Sequence, residues 1–387
     1  MNKFLFGSAS SSQQVEGNNY NNQFLKLEEQ GVFPEAGKSS DFYNRYEEDI
    51  LLAKNFGMNS MRIQIEWSRI MPKENVIDLQ ALEHYTKIFQ FMRLQNMQPV
   101  VTLFHWTHPA WLAKFGFNSK QLLSNFQKFT EVVVTKFKNE VKFWLVINEP
   151  EVFAFEIYHH GQNKNIFSKI GQSLRVYWQL TKMHKLAFRV IKKIDPVAQV
   201  GIAKNVAYHE PFRKNNLLDN FLVSMANTFG NELFVRLIKN QLDFIGLNYY
   251  FYHSLQWSWS DIFKHQNKHT IKSDMGEKTF PKGLYYVFKQ FWKFKKPLFV
   301  TENGIGNSRD DMRIRFIEEH LQAVLLAKQE GVDVRGYFYW SLTDTYEWKS
   351  GYDIKFGLVE IDYQTGQRRV RQNFNKEKLQ QLLDKLD

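Results

Sequence analysis

The chain has 387 residues, of which 43% are hydrophobic and 16% aromatic, and its formal net charge is +11. This composition excludes an intrinsically disordered chain and supplies enough apolar residues for a large core. The sequence contains no cysteine, which excludes disulfides, thiolate metal sites and cysteine nucleophiles.

The chain ends and the charge distribution bear on location and partners. The opening MNKFLFGSAS could be mistaken for an export signal, but its apolar run is shorter than the roughly 7 to 15 residues required. No apolar run approaches the roughly 20 residues of a membrane span. Lysines are spread along the chain, with only short groups such as KFWKFKK and RRVR, so we favour a solvated basic surface over a nucleic-acid site. We therefore expect a cytoplasmic protein with no membrane and no nucleic-acid partner.

Short apolar runs bounded by turn residues predict eight strands. In chain order they are FLFGSAS (4–10), MNSMRIQIEW (58–67), QPVVTLFHW (98–106), KFWLVINEP (142–150), QVGIAKN (199–205), DFIGLNYY (243–250), PLFVTENG (297–304) and VRGYFYWSLTD (334–344).

Segments with helical periodicity lie between these strands. Three clear ones are DFYNRYEEDILLAKNFG (41–57), LQALEHYTKIFQFMRLQNM (79–97) and DDMRIRFIEEHLQAVLLAKQEG (310–331), the last expected to begin at an Asp cap. The segment 208–241 is hard to assign. Eight strands alternating with helices, without a Pro- or Ser-rich linker, predict an α/β fold: a single (β/α)8 TIM barrel over residues 1–387, with compact loops.

Two glutamates stand at predicted strand ends. Glu149 follows the fourth strand and Glu302 ends the seventh. Because the carboxyl ends of barrel strands share one face, these carboxylates are expected to converge there, as glycoside hydrolysis requires. The alternative for either residue alone is a solvated or helix-capping glutamate.

Polar and aromatic side chains follow other strands at the same end. Amides, imidazole and carboxylates hydrogen-bond sugar hydroxyls, and indole faces cover the apolar side of a pyranose ring. Taken singly, each could instead be a core or structural residue. The candidates are Gln14, His105, Trp106, Asn148, Asn248, Tyr250, Trp340, Glu347 and Trp348.

The chain resembles glycoside hydrolase family 1, the β-glucosidase and β-galactosidase family. The resemblance rests on segments that occur in order along the chain: QVEG from Gln14, RYEEDI from Arg45, RIQIEWSRI from Arg62, LFHWTHP from Leu103, INEP from Ile147, DFIGLNYY from Asp243, TENG from Thr301, YWSLTDTYEW from Tyr339 and FGLVEID from Phe356. It implies a (β/α)8 barrel and a retaining exo-β-glycosidase that acts on a small neutral β-glycoside or oligosaccharide. No metal and no organic cofactor is implied, because two carboxylates suffice for the reaction.

The resemblance also implies roles for individual residues. Glu149 would be the general acid/base and Glu302 the nucleophile, with Arg62, Asn248 and Tyr250 around the nucleophile. The implied sugar-binding residues are Gln14, His105, Trp106, Asn148, Trp340, Glu347, Trp348 and Phe356. We expect the guanidinium and the phenol to keep Glu302 ionised, and a neighbouring anion and burial to raise the pKa of Glu149.

Three departures from the family pattern fall on the leaving-group side. Glu277 stands where the family commonly has Trp, the loop YHHGQNKN (158–165) lacks the usual Pro-Gly ending, and the chain is compact. Lys349, beside Glu347, keeps a 6-phospho-β-glycosidase open as an alternative, although a carboxylate facing a phosphate is repulsive. The presence of Glu149 excludes a myrosinase-like variant that lacks the acid/base. Two hypotheses of a different class are a catalytically weak sugar-binding barrel and a nucleic-acid binder.

Overall fold

The computed structural model describes residues 3–160, 165–258, 264–265, 273–274, 276, 279–371 and 376–386. Eight parallel strands hydrogen-bond in the order β1-β2-β3-β4-β5-β6-β8-β9, and β9 pairs with β1 to close the sheet. The predicted (β/α)8 barrel is confirmed. The strands are β1 Leu5–Ala9, β2 Ser60–Gln64, β3 Gln98–Phe104, β4 Phe143–Asn148, β5 Gln199–Pro211, β6 Ile245–Gln256, β7 Lys264–His265, β8 Leu298–Asn303, β9 Val334–Tyr339, β10 Val359–Ile361 and β11 Arg368–Val370.

Helices lie between the barrel strands. The α-helices are α1 Ser12–Val15, α2 Phe24–Glu29, α3 Phe42–Asn55, α4 Trp67–Ile70, α5 Leu79–Leu94, α6 Lys120–Phe137, α7 Pro150–Phe155, α8 Ile166–Ile194, α9 Leu217–Met225, α10 Leu233–Ile238, α11 Pro281–Phe291, α12 Arg313–Gln329 and α13 Lys376–Asp384. Short 3-10 helices are Ala110–Phe115, Ile157–His159, Lys239–Gln241, Trp292–Phe294 and Trp348–Ser350, and a π-helix spans Ala226–Glu232.

Strands β5 and β6 run further than the sequence predicted. They continue to Pro211 and Gln256 because they pair with each other along this extension, which satisfies the backbone polar groups of both. The segment 208–241 that was hard to assign contains the end of β5, helix α9, the π-helix, α10 and a 3-10 helix.

The expected Asp cap of α12 is wrong. The helix is preceded by Met312, which makes no side-chain cap, and the backbone N–H of Met312 donates to Asn307 Oδ1 at 3.0 Å. The carboxylate of Asp310 forms an ion pair with Arg313 instead. An ion pair with a buried guanidinium therefore replaces the local capping bond that the sequence indicated.

Phenylalanines close the amino-terminal end of the barrel interior. Phe143, Phe244 and Phe299 come from the beginnings of three strands, with ring centroids 4.9 Å apart for Phe244 and Phe299 and 5.6 Å apart for Phe143 and Phe299. They belong to an apolar cluster inside the barrel that also contains Val100 and Leu145. This packed floor holds the strands rigidly, so side chains at the opposite ends are fixed in position.

Glycine at position 7 allows β1 and β2 to approach closely. Gly7 lies opposite Ser60 in the register of the two strands, and a Cβ at this position would lie 2.2 Å from the Ser60 carbonyl oxygen. Only a backbone shift relieves such a contact, and the backbone concerned leads to Arg62.

We predict that Gly7→Ala lowers the free energy of unfolding by about 2–3 kcal/mol, because the added methyl group overpacks the strand pair. Urea denaturation measures the change. Gly171→Ala is the control, since nothing lies within 4 Å of a Cβ there and alanine is favoured over glycine inside a helix such as α8. Equal stability of wild type and Gly7→Ala would contradict the prediction.

Candidate active site

Glu149 lies at a sharp turn between β4 and α7. Its backbone has φ 44°, in the left-handed region that is costly for a residue with a Cβ, and Pro150 begins the helix. The N–H of Glu149 donates to the carbonyl of Ala203 on β5 at 2.8 Å, which fixes the turn. The strand end and the helix start thus hold one carboxylate at the mouth of the barrel.

Glu302 lies near the end of β8, opposite Asn248 of β6 in the register. The chain leaves the strand through Gly304, where a Cβ would lie 2.0 Å from the carbonyl oxygen of Trp340. Glycine is required at this position because the backbone after β9 approaches so closely.

Arg62 on β2 binds the groups around Glu302. Its guanidinium is fully buried and donates to Glu302 Oε1 at 2.7 Å, to the Thr301 carbonyl at 3.0 Å and to Asn148 Oδ1 at 2.7 Å. Its Nε donates to Thr102 Oγ1 at 3.0 Å. One side chain therefore joins four strands beneath the candidate site.

Tyr250 and Asn248, both on β6, contact one carboxylate each. The Tyr250 hydroxyl donates to Glu302 Oε2 at 3.0 Å, and Asn248 Nδ2 donates to Glu149 Oε1 at 2.9 Å. Asn248 is itself oriented by Thr301, whose hydroxyl donates to Asn248 Oδ1 at 2.7 Å. Arg62 and Tyr250 thus contact Glu302, and Asn248, which lies opposite Glu302 in the register, contacts Glu149.

The two carboxyl groups differ in their proton affinity. Burial raises the pKa of Glu149 well above its usual value, and the neighbouring charge of Glu302 raises it further. Burial also raises the pKa of Glu302, an effect that we did not anticipate, but Arg62 and the hydrogen bond from Tyr250 oppose it. Glu302 therefore ionises first, and Glu149 keeps its proton beside it.

His105, Trp106 and Asn148 form a group next to the carboxylates. Asn148 Nδ2 donates to His105 Nε2 at 3.1 Å, and the Trp106 indole N–H donates to the Asn148 carbonyl at 3.0 Å. Burial and the charge of Arg62 hold the pKa of His105 well below its usual value, so the ring is neutral with its hydrogen on Nδ1. Within the described residues Nδ1 has no hydrogen-bond partner, which leaves a donor available at the site.

A second polar group surrounds Glu347. Gln14 Nε2 donates to Glu347 Oε2 at 3.3 Å and the Trp340 indole N–H to Oε1 at 3.2 Å, while the Thr345 hydroxyl also donates to this carboxylate. Burial raises the pKa of Glu347 to about 8. The group joins the first one through the ring of Trp340, whose centroid lies 6.0 Å from that of His105.

Two further aromatic candidates border the same region. The ring of Trp348 lies 4.9 Å from that of Trp106, and the ring of Phe356 stands perpendicular to that of Tyr250 at 6.5 Å. All the candidate residues therefore lie at the carboxyl end of the barrel. Glu277 and the loop positions 161–164, where we expected departures on the leaving-group side, lie outside the described residues.

The family model described as glycosyl hydrolase family 1 matches residues 1–235 and 223–378 of the chain. The chain belongs to glycoside hydrolase family 1. It is similar to beta-glucosidase A of Thermotoga maritima, with 28% identity over 421 residues that cover 95% of this chain and 94% of that protein. The solved structure of the beta-glucosidase from Thermotoga maritima in complex with glucoimidazole is similar in fold, with a TM-score of 0.88 and 26% identity over 100% of this chain and 98% of that one. This family 1 chain is thus a glycoside hydrolase.

A further relative is named for a different activity. The chloroplastic galactolipid galactosyltransferase SFR2 of Arabidopsis thaliana is 31% identical over 352 residues, which are 85% of this chain and 56% of that protein. The chain therefore spans a little more than half of the length of this relative.

The sequence of this family 1 glycoside hydrolase did not indicate several residues in and around the site. Thr102 and Thr301 orient Arg62 and Asn248 from inside predicted strands. Lys204 on β5 is fully buried and forms an ion pair with Glu151 of α7 at 2.8 Å, and it also donates to the Gly230 carbonyl at 2.8 Å. The only signal for this pair in the sequence is a lysine inside an apolar run.

Neither a metal site nor a membrane-spanning helix is found among the described residues. No group of three or more His, Asp or Glu side chains in this part of the chain is arranged to hold a metal ion. None of the helices described combines the length and the apolarity needed to cross a membrane.

We predict that Lys204→Met lowers the free energy of unfolding by about 3 kcal/mol, because it leaves Glu151 in a poorly solvated site without its cation. Chemical denaturation measures the loss. The double variant Lys204→Met/Glu151→Gln should recover most of it. Lys192→Met is the matched control: its ion pair with Asp243 is partly exposed, so the expected loss is below about 1 kcal/mol. A loss of similar size in both single variants would refute the assigned importance of the buried pair.

Proposed function

We propose that the chain is a retaining exo-β-glycosidase that hydrolyses neutral β-linked glucosides, galactosides or related glycosides. The observation that carries this proposal is the unequal environment of two adjacent carboxyl groups. Glu302 receives hydrogen bonds from a guanidinium and a phenol, whereas Glu149 is buried and receives one bond from an amide. Such a pair supplies a nucleophile and an acid at the same pH.

The reaction proceeds in two displacements. Protonated Glu149 donates its proton to the leaving oxygen while Glu302 attacks the anomeric carbon, which gives a covalent glycosyl-enzyme and releases the aglycone. Glu149, now ionised, takes a proton from water, which attacks the same carbon and frees Glu302. Each displacement inverts the anomeric centre, so the product keeps the β configuration.

The remaining site residues bind the sugar. Gln14, His105 and Glu347 offer donors and acceptors for its hydroxyls, and Asn148, held by Arg62 and Asn248, is oriented toward the hydroxyl next to the anomeric carbon. Aromatic rings supply the apolar faces that sugar C–H groups pack against. These rings are Trp106, Trp340, Trp348 and Phe356.

Neutral sugars are favoured over 6-phosphorylated ones. Lys349, which kept the phosphate alternative open, is exposed, whereas the carboxyl group of Glu347 lies among Gln14, Trp340 and Thr345. A phosphate placed there would lose its hydration without gaining a cationic partner, because Gln14, Trp340 and Thr345 are uncharged. We further propose that residues 1–387 act as one catalytic domain in the cytoplasm without a nucleic-acid partner.

Transfer of the sugar to an acceptor other than water is a second candidate function. It is supported by the relative that is named a galactolipid galactosyltransferase. A glycosyl-enzyme reacts with any hydroxyl group that reaches its anomeric carbon, so both outcomes share Glu149 and Glu302. A transferase would form glycosylated acceptor in excess of free sugar.

Initial rates test the proposed activity. We expect turnover of 4-nitrophenyl β-glucoside, β-galactoside, β-fucoside or β-mannoside, and none of 6-phospho-β-glucoside. Glu302→Gln should lower kcat by about 1,000-fold or more, because it removes the nucleophile. NMR of the first-formed sugar should show the β anomer.

Three results would count against the proposal. An α product would exclude retention, and turnover of the phosphorylated substrate alone would assign specificity to Lys349 rather than Glu347. Sugar binding that is unchanged by Glu302→Gln, with no turnover of any substrate, would indicate a binding protein.

The pH dependence should be bell-shaped, since Glu302 must be ionised and Glu149 protonated. The Tyr250 hydroxyl lowers the pKa of Glu302 by hydrogen bonding to its charged form. Tyr250→Phe therefore raises that pKa, and the acidic limb of kcat/KM should move to higher pH while the alkaline limb stays. Tyr249→Phe is the control, because the Tyr249 hydroxyl donates to the Phe280 carbonyl instead. An acidic limb that is unmoved in Tyr250→Phe would disprove the assignment.

A further inference from the structure

Helix α8 has a row of exposed apolar side chains along its amino-terminal half. Ile166, Ile170, Leu174 and Trp178 follow one another at four-residue spacing, which places them on one side of the helix, and Phe167 adjoins them. Phe167 is 84% exposed and Trp178 52%. These five residues are called the apolar ridge below. A core-packing role does not account for them, because α8 buries a different set that includes Val176, Leu180 and Met183.

A second exposed apolar row lies on the neighbouring segment 217–229. Tyr177 of α8 packs edge-on against Phe234 of α10, with ring centroids 5.1 Å apart, so α8 and the α9–α10 segment are neighbours. The exposed residues of this row are Leu217, Leu218, Phe221, Met225 and Phe229. Half of the large apolar residues that are exposed in the described part of the chain belong to these two rows. Concentration of this kind marks an interaction surface.

The charged side chains of α8 are of one sign. Helix α8 has 29 residues and contains no Asp or Glu, while Arg175 and Lys182 are exposed along it and Lys169 is half-buried. On the neighbouring segment 213–238 the two carboxylates, Asp219 and Glu232, are both in ion pairs with arginine. The apolar side chains are therefore accompanied by the positive charge of α8, while Glu156, beside Phe155 at the end of α7, is an exposed carboxylate.

We propose that the apolar ridge and the α9 row dock onto the surface of an anionic lipid bilayer. A long helix with an exposed apolar side, basic flanks and an interfacial tryptophan has the composition that binds at the headgroup level without crossing the membrane. This contact replaces our expectation of no membrane partner, which rested on the lack of an apolar run long enough to span a bilayer.

The positive charge of this surface favours an anionic lipid bilayer over a second copy of the chain as its partner. Two copies that meet through this surface would bring the basic side chains of both ridges together, and each chain already carries a net charge of +11. Like charges in such an interface are unfavourable. Anionic lipids instead attract each Lys or Arg near the surface.

The surface lies at the same end of the barrel as the active site. Helix α7 begins immediately after Glu149 and ends at Phe155, whose ring lies 6.0 Å from that of Tyr177 on α8. The ridge begins at Ile166, eleven residues after Phe155. Docking is thus expected to hold the mouth of the barrel near the membrane.

Co-sedimentation of the full chain with vesicles tests this inference. We expect binding to phosphatidylcholine vesicles that contain about one third phosphatidylglycerol, little binding to phosphatidylcholine alone, and weaker binding at high salt. Tryptophan fluorescence should shift to shorter wavelength on binding, and Trp178→Phe should reduce this shift. The measurement requires no catalysis, so it succeeds or fails independently of the proposed glycosidase activity.

Substitutions in the apolar ridge and in its basic residues test whether this surface contacts the bilayer. Phe167→Ser/Ile170→Ser should weaken partitioning about tenfold or more because it removes apolar area from the buried side, and Lys169→Glu/Arg175→Glu should do likewise by reversing two charges. The matched controls, Leu79→Ser/Leu94→Ser and Lys54→Glu/Lys73→Glu, change exposed residues elsewhere and should bind as wild type. Circular dichroism and the unfolding midpoint verify that every variant is folded.

Three outcomes would overturn the inference. The first is no binding to anionic vesicles at low salt. The second is an equal loss in test and control variants, which would indicate attraction by net charge alone. The third is a wild-type dimer by light scattering that Phe167→Ser/Ile170→Ser converts to a monomer, which would assign the surface to a second copy of the chain.

Discussion

The active site depends on the buried charge of Arg62. This guanidinium is out of contact with solvent and is balanced by Glu302, while its other N–H groups are bound by Thr102, Asn148 and the Thr301 carbonyl. A buried charge without a counter-ion costs several kcal/mol, so the arginine and the glutamate stabilise each other's placement. Because Arg62 and its partners come from four strands, the closed barrel is what makes the arrangement possible, and the phenylalanine floor beneath it limits relaxation.

The chemistry follows from a difference between two carboxyl groups that share one cavity. Both are buried, which disfavours the charged form of each. The guanidinium and the phenol offset this effect for Glu302, whereas Glu149 has an amide as its partner and an anion as its neighbour. The same low-polarity surroundings therefore treat the two groups differently, and the roles that we propose for Glu302 and Glu149 rest on their partners rather than on burial.

Much of the site could be predicted because a parallel barrel gathers its strand ends on one face. An apolar run ending in a polar residue identifies that residue as a rim position, which was sufficient for Glu149, Asn248 and Glu302. Local sequence patterns did not predict the role of a residue whose partner is remote in sequence. Lys204 is a lysine inside a strand-like run, and it can be buried there because it forms an ion pair with Glu151. The ridge on α8 was missed for the same reason, because periodicity shows that a helix has apolar sides but not which of them another element covers.

The structure separates the surface that we assign to lipid from the group that must keep its proton. Helix α7 begins after Glu149 and packs on α8, so a displacement of α8 on docking would reach Glu149 through it. Two contacts hold α7 in place: the ion pair of Glu151 with buried Lys204 on β5, and the packing of Phe155 against Tyr177, which is itself packed on Phe234. The first ties the helix to the barrel wall and the second to the inner face of α8. The exposed side of α8 can therefore be engaged while the hydrogen bond from Asn248 and the burial that raises the pKa of Glu149 are preserved.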